Sequence, residues 1–390
     1  MATVPAGVIG FREEGNRLYK RAHADDNSVH IRKVLLTKAI SYYARAVRCA
    51  VNDEDERASL DKNLGLAHFA ISSLDALPAM EIAENKREAL KHIGAAWSRA
   101  KSGVTKKDEA WTSKIEELFE KVLTSGVNKV IDLARAAEEA RKKKERRPSA
   151  DGDGPKRTKK SGAAANKKQK TEEEPSETET PLPNITARDW VRFFYVMIEH
   201  VEPRTHLVTP FLTFARQLFQ YAVRARENAD YKDAQYYLDE MAYPMGEAER
   251  LSKERTATEK ALHGNNNVAD QEAEDVAVES EVRVMREEVI MEKSIAEAMS
   301  AIQQGGELLT IAIINDETPN MNLIFDAMDW FKSAALKARG FDLEQEAIAC
   351  HHIGRIYEKV IKLKGRAKEY YMQVLSLNPF RNATRWLIVG

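Results

Sequence analysis

The sequence predicts an all-helical fold, and three observations lead to that prediction. Proline and glycine, which interrupt helices, number only 12 and 18 in 390 residues and are clustered. The intervals between these clusters are rich in Ala, Leu, Glu, Lys and Arg, which favour helix. Alternating runs of Val, Ile and Thr joined by hairpin dipeptides, which indicate a sheet, do not occur in the sequence.

The breaks in the N-terminal part of the chain separate five expected helices. Pro78 is suited to the start of the fourth helix, and Ser102-Gly103 is suited to its end. The five helices are expected at about residues 8–24, 28–51, 53–74, 78–101 and 106–147.

The composition changes sharply at residue 141. Residues 141–180 contain no aromatic and no large aliphatic side chain, and they are first basic and then acidic. Such a segment cannot bury enough apolar surface to offset the entropy that ordering would cost. We therefore predict a disordered charged linker over 141–183, between an N-terminal lobe, 1–140, and a C-terminal lobe, 184–390.

The C-terminal lobe is expected to be helical again. Its first helix has an N-cap at Thr186 and a stop at Pro203. The stretch HGNNNVADQEAEDVAVESE is expected to be a polar loop or frayed helix near 263–280. The remaining helices are expected at about 210–228, 231–263, 281–315, 320–339, 343–363 and 365–377.

The bulk composition favours a chain that works inside the cell. The formal net charge is −1, so there is no global bias toward nucleic acid or membrane. Only Cys49 and Cys350 are present, which does not indicate a disulfide framework. The start lacks a secretory signal pattern, and the most apolar stretch, 308–314, is too short to span a bilayer. We expect a nuclear or cytoplasmic protein with no membrane partner.

An alanine followed by an aromatic pair recurs four times on the expected helices. The four segments are AISYYARAV (39–47), AQYYLDEMA (234–242), AMDWFKSAA (327–335) and AKEYYMQVL (367–375). In the first, Ile40, Tyr43 and Val47 share one helix face, while Ala39 and Ala46 let a neighbouring helix approach. A helix pair cannot bury such a face alone, so we predict stacked helices in which these rings serve packing.

Residues 350–379, CHHIGRIYEKVIKLKGRAKEYYMQVLSLNP, resemble a unit of the tetratricopeptide repeat family, whose helix-turn-helix units have a 34-residue period. Gly354 with Tyr357 is similar to the first-helix signature, and Ala367 with Tyr370 and Tyr371 is similar to the second. The step from Gly354 to Ala367 is one residue longer than the family norm, so a looser turn is expected.

The N-terminal segments EEGNRLYK (13–20) and KAISYYARAV (38–47) also resemble a unit of that family, with about twelve extra residues between its halves. The resemblance implies a tetratricopeptide-like helical solenoid in two lobes. It also implies that each lobe binds a peptide or a helix in a concave groove.

The N-terminal unit partly resembles chaperone-binding cochaperones, through Arg12, Asn16 and Asn63. That resemblance implies a partner with an acidic C-terminal tail, namely a heat-shock chaperone. A terminal carboxylate is bound by charge-assisted donors, so the resemblance implies two further cations four residues apart. Arg87 and Lys91 have that spacing. Alignment on Gly94 instead places Glu88 and His92 at those positions. Solvated helix-face charges and a groove for another peptide are the alternatives.

The linker contains three basic clusters that are typical of a nuclear-import signal. The import-like residues are Lys142, Lys143, Lys144, Arg146, Arg147, Lys156, Arg157, Lys159 and Lys160. An import receptor is therefore a candidate partner. Two alternatives are that these cations bind nucleic-acid phosphates or that they only keep the linker soluble. The alternative function is a nuclear factor associated with nucleic acid or chromatin through this linker only.

Motifs of common enzyme classes are absent from the sequence. It contains no phosphate-binding loop, dinucleotide-binding glycine pattern, nucleophile elbow or H-E-x-x-H. We predict no catalytic, cofactor-binding or metal-binding residues and no cofactor. The predicted function is a non-catalytic adaptor or scaffold for protein–protein interaction.

Overall fold

The computed structural model describes residues 7–24, 27–50, 52–75, 77–145, 188–263, 268–314 and 319–377. Every regular element in these ranges is a helix, which confirms the all-α fold class. The chain divides between Pro203 and Arg204 into two compact units. Most of the predicted linker, 146–183, lies outside the described residues, and its first five residues continue a helix.

The described residues of unit 1 form six α-helices. Their bounds are α1 Gly7–Ala22, α2 Val29–Cys49, α3 Glu54–Ser72, α4 Ala79–Lys101, α5 Glu109–Glu145 and α6 Asp189–Ile198. Helices that follow one another in the chain pack together from α1 to α5, and α6 packs against α4 and α5. Polar side chains cap the starts of α2 and α3, where Ser28 accepts from Ile31 N and the Asp53 carboxylate accepts from Glu56 N at 3.0 Å.

Helix α6 belongs to unit 1, whereas the predicted C-terminal lobe began at residue 184 and included it. The reason is apolar packing. Trp190, Phe193 and Met197 are buried. A Cβ added to Gly126 of α5 would lie 2.1 Å from Met197 Sδ, so the glycine makes room for this side chain.

Unit 2 begins with a 3₁₀ turn, Arg204–Leu207, and its described part continues with seven α-helices. Their bounds are α7 Val208–Glu227, α8 Tyr231–Glu240, α9 Ala242–His263, α10 Val268–Ile313, α11 Met321–Ala338, α12 Leu343–Arg355 and α13 Lys364–Leu377. The expected single helix over 231–263 is interrupted at Met241, which separates α8 from α9. Within this unit, α10 packs against α9 and α11, and α11 packs against α12.

Of the two structures expected near 263–280, a polar loop or a frayed helix, the loop is not formed by residues 268–280, which are the first part of α10. Val278 and Val282 are four residues apart and buried. Carboxylates on the same part of α10 pair with cations on α9, as in Lys253–Glu279 at 2.7 Å. The acidic composition is therefore matched by a basic partner helix, which the segment read alone does not reveal.

The recurring alanines are buried, which confirms their predicted role in helix packing. Ala39, Ala234 and Ala327 are fully buried, and Ala367 is 3% exposed. The second ring of the aromatic pair faces the core in three segments, at Tyr43, Tyr237 and Phe331. The fourth pair, Tyr370 and Tyr371, is half-buried.

A glycine lies under a tyrosine ring in both units. In the α1–α2 pair, a Cβ on Gly15 would be 2.5 Å from Tyr43 Cε1. In the α12–α13 pair, a Cβ on Gly354 would be 2.6 Å from Tyr371 Cε1. The absence of a side chain at each glycine lets the two helices of the pair approach closely.

The connection between α12 and α13, where a looser turn was expected, starts with a π-helical turn. Helix α12 runs directly into a π-helical turn, Ile356–Val360, and Lys362 follows with a φ of 62°. A π-helical turn holds one residue more than the corresponding α-helical turn. The longer step to Ala367 is thus taken up within the end of the first helix.

Candidate functional site

Asn16 of α1 and Asn63 of α3 meet at a surface that we call the α1–α3 seam, together with Arg12 and Glu56. Asn16 Oδ1 accepts hydrogen bonds from the Tyr43 hydroxyl at 2.8 Å and from Asn63 Nδ2 at 3.4 Å. Both asparagines are half-buried. The structure therefore brings together two polar residues that lie 47 positions apart in the chain.

Arg12 is one turn before Asn16 on α1 and forms an ion pair across the seam. Its Nη1 lies 2.5 Å from Glu56 Oε2, and both side chains are partly buried. The charge of this arginine is therefore compensated by a carboxylate of α3. An anionic ligand at Arg12 would have to compete with Glu56.

A second polar group ties α3 to α4 next to the seam. Asp61, 6% exposed, lies 3.1 Å from His92 Nδ1 and 3.3 Å from Arg99 Nε. Arg99 also donates to Glu54 at 2.5 Å. The His68 ring stacks on that of His92, and burial lowers the pKa of His68 below its ordinary value. The polar atoms of this group thus find their hydrogen-bond partners within α3 and α4.

Arg87 and Lys91 lie on α4, away from the contacts of Arg12, Asn16 and Asn63. Arg87 pairs with Glu199 at 3.0 Å and with Glu88 at 3.3 Å, and Lys91 pairs with Glu88 at 3.3 Å. Helix α4 packs on α3, where Gly65 would place a Cβ 2.4 Å from Ile93 Cγ1. It is thus the second member of a helix pair, whereas the cochaperone resemblance implies these cations on a first helix.

The import-like residues fall at the end of unit 1 or beyond the described chain. Lys142, Lys143 and Lys144 lie in the last turns of α5. The others, from Arg146 to Lys160, lie outside the described residues. The import signal therefore stays a sequence prediction.

Sequence reasoning missed Lys86, which is 2% exposed in the core of unit 1. Its Nζ donates to Ser125 Oγ of α5 at 3.0 Å and lies 5.1 Å from the centroid of the Phe69 ring. Burial, reinforced by the charge of Lys129, lowers the pKa of Lys86 to about 8.

A sequence signal for Lys86 was present. It lies four residues after Ile82 and four before Leu90, two apolar residues on one helix face. A lysine within an apolar face predicts a buried charge.

No group of three or more His, Cys, Asp or Glu side chains in the described part of the chain is arranged to hold a metal ion. Of the helices described, none has both the length and the apolar character needed to cross a membrane. Comparison of the chain with protein-family models, with curated proteins and with solved structures found no match.

Proposed function

We propose that the protein is a non-catalytic adaptor whose unit 1 binds a peptide segment of a partner protein along the α1–α3 seam. The observation that carries the proposal is the contact between Asn16 and Asn63. Two carboxamides from successive helix pairs lie side by side on a half-buried surface. The resemblance to tetratricopeptide repeats, which bind peptides, supports the same function.

The two carboxamides are suited to the backbone of a peptide. Asn16 Oδ1 is occupied, but Asn16 Nδ2 and Asn63 Oδ1 have no hydrogen-bond partner among the described residues. A peptide unit presents one C=O and one N–H, which match this donor and this acceptor. Each such hydrogen bond contributes about 0.5–1.5 kcal/mol, and apolar contact along the groove supplies the rest.

The charges of the seam favour recognition of the peptide backbone over recognition of a terminal carboxylate. At the seam, Arg12 is paired with Glu56. The two further cations that the cochaperone resemblance implies, Arg87 and Lys91, lie on α4 and are paired with Glu88. The acidic tail of a heat-shock chaperone is the partner implied by the cochaperone resemblance. Such a tail binds at Arg12 only by displacing Glu56.

Fluorescence anisotropy with the full chain tests the proposal. The probes are a labelled acidic peptide with a free C-terminal carboxylate and the same peptide with an amidated end. We expect both to bind at micromolar Kd, and Asn63→Ala to weaken both about fivefold, as loss of one hydrogen bond requires. Asn128→Ala, an exposed asparagine on α5, is the matched control.

Two results would contradict this function. One is a lack of binding by either peptide. The other is equal affinity of Asn63→Ala and the unsubstituted chain. Binding of the free-carboxylate peptide alone, weakened by Arg12→Ala, would assign the seam to chaperone tails.

A further inference from the structure

A lysine in the core of unit 1, Lys86, and a partly exposed lysine near it, Lys129, have no acidic partner among the described residues. Several cations elsewhere in this unit pair with a carboxylate, as Arg12, Arg87 and Arg99 do. Lys86 of α4 and Lys129 of α5 have no ion pair among the described residues, although the charge of Lys129 acts on Lys86. An uncompensated buried charge is costly, so two adjacent cations without an anion call for a compensating ligand.

The donors around Lys86 come from the contact between α4 and α5. Lys86 Nζ uses one of its three protons on Ser125 Oγ, at 3.0 Å. The Ser125 hydroxyl accepts that proton and keeps its own hydrogen for donation. Lys129 lies one turn after Ser125, on the same face of α5. Two ammonium groups and one hydroxyl from two helices are therefore available to a single ligand.

We propose that Lys86, Ser125 and Lys129 form a binding site for a phosphate-like oxyanion. A phosphate group carries a charge of about −1.5 to −2 near pH 7, which matches the two lysine charges. Its unprotonated oxygens are strong acceptors, which suits a site rich in donors. Hydrogen bonds between charged partners in a partly buried setting are the strong ones.

The site lies one side-chain layer beneath the surface. Lys86 itself is buried, but Phe69, Ser125 and Lys129 around it are each partly exposed. The proposed site requires the Lys129 or Phe69 side chain to move so that a ligand reaches the amine. The lysine stem passes beside Gly126, where an added Cβ would lie 3.4 Å from Lys86 Cδ. The site does not depend on the α1–α3 seam.

Calorimetric titration of the full chain with inorganic phosphate, at constant ionic strength in chloride, tests the site. We expect one saturable site per chain with a Kd of about 1 mM or tighter at pH 7. Lys86→Met should weaken binding about tenfold or more, because it removes a charged donor. Ser125→Ala and Lys129→Met should each weaken it a few-fold and serve if Lys86→Met does not fold. Lys114→Met, an exposed lysine of α5, should leave the affinity unchanged.

The pH dependence separates this site from binding to surface lysines. At pH 9.5 a lysine with a pKa of about 8 is mostly neutral, whereas surface lysines with a pKa near 10.4 stay charged. Phosphate affinity should therefore fall about fivefold or more between pH 7 and 9.5, although phosphate itself becomes more negative. O-phosphoserine is the second probe, and tighter binding than phosphate would indicate a phosphorylated protein as the source of the group. No saturable binding, or equal loss in Lys114→Met and Lys86→Met, would overturn the proposal.

Discussion

The α1–α2 pair of unit 1 and the α12–α13 pair of unit 2 share one contact, a glycine beneath a tyrosine ring, in different surroundings. Tyr43 is 1% exposed, because α3 adds Leu60, Leu64 and Ile71 to the same apolar cluster. Tyr371 is half-buried, and α13 is the last element of the described chain. The same local contact is thus covered in one unit and partly open in the other.

The difference shows that the covering helix, more than the glycine itself, decides how strongly such a pair is held. A ring packed on all sides cannot move aside without disturbing its neighbours. A ring with one side exposed to solvent can move outward. Substitutions at equivalent positions should therefore cost more stability in the covered α1–α2 pair. A change of pH should open the partly exposed α12–α13 pair first.

The largest expected effect is opening of the α12–α13 pair in acid. Burial, reinforced by His352 and Arg355, lowers the pKa of His351 to about 4, and the ring centroids of His351 and Tyr371 are 5.9 Å apart. The unfolded chain, with a histidine pKa near 6.5, takes up the proton first. Stability from this group is complete above pH 6.5 and is lost as the pH falls through 4. The loss should be about 1–3 kcal/mol, allowing for partial exposure.

Hydrogen exchange at pH 7 and pH 4.5, corrected for intrinsic rates, measures this opening in each pair separately. The α1–α2 pair should keep its protection, because its histidines, His23 and His30, are exposed. His351→Gln should reduce the acid response of α12–α13 and leave the part due to His352, whose pKa is also lowered by burial. An unchanged response in that variant would show that another group causes it.

Alanine at the two glycines gives the next largest effect. In Gly15→Ala the new Cβ would stand 2.5 Å from Tyr43 Cε1 and 2.7 Å from Cδ1, and the buried ring cannot yield. We expect a cost of about 1–3 kcal/mol. In Gly354→Ala the partly exposed Tyr371 ring rotates outward, and the gain in helix propensity of about 0.5–1 kcal/mol offsets the strain.

Local unfolding free energies from hydrogen exchange compare the two glycine variants in the full chain. Gly306→Ala is the control, since no atom lies within 4 Å of its added Cβ and α10 should become slightly more stable. Equal costs at Gly15 and Gly354 would mean that the covering helix is irrelevant.

Removal of the two tyrosine hydroxyls gives the smallest effect. The Tyr43 hydroxyl donates to Asn16 Oδ1 at 2.8 Å, and the Tyr371 hydroxyl donates to Glu358 Oε2 at 3.0 Å. Tyr43→Phe should cost about 1 kcal/mol, because its partner is half-buried. Tyr371→Phe should cost a few tenths, since water replaces the bond to the exposed Glu358. Local unfolding free energies from hydrogen exchange measure both variants. A larger loss of stability in Tyr371→Phe than in Tyr43→Phe would contradict the comparison.

Much of the fold was predictable because helix interruptions are local. The helix expected at 78–101 is α4, Ala79–Lys101, bounded by Pro78 and Ser102-Gly103. A loop was expected over 268–280, but the segment is helical because its carboxylates pair with cations of α9, as in Arg255–Glu274 at 2.8 Å. The place of α6 was not predictable either, since it depends on the space that Gly126 of α5 leaves for Met197.

The candidate site was only partly predictable. Asn16 and Asn63 were singled out by resemblance, and the structure places them in contact. Lys86 was overlooked because charged residues are expected in solvent, although its position among Ile82 and Leu90 indicated burial. The carboxylate partners of Arg12 and Arg87 come from other helices, so no spacing within one segment could reveal them.

The different lengths of the second helices have a consequence for how such pairs tolerate insertions. Tyr43 stands fourteen residues after the start of α2 at Val29, and Tyr371 stands seven after the start of α13 at Lys364. The seven added residues make almost two whole turns at 3.6 residues per turn, so the ring returns to its glycine. Chain length can thus change here only in steps that restore the angular phase of the helix.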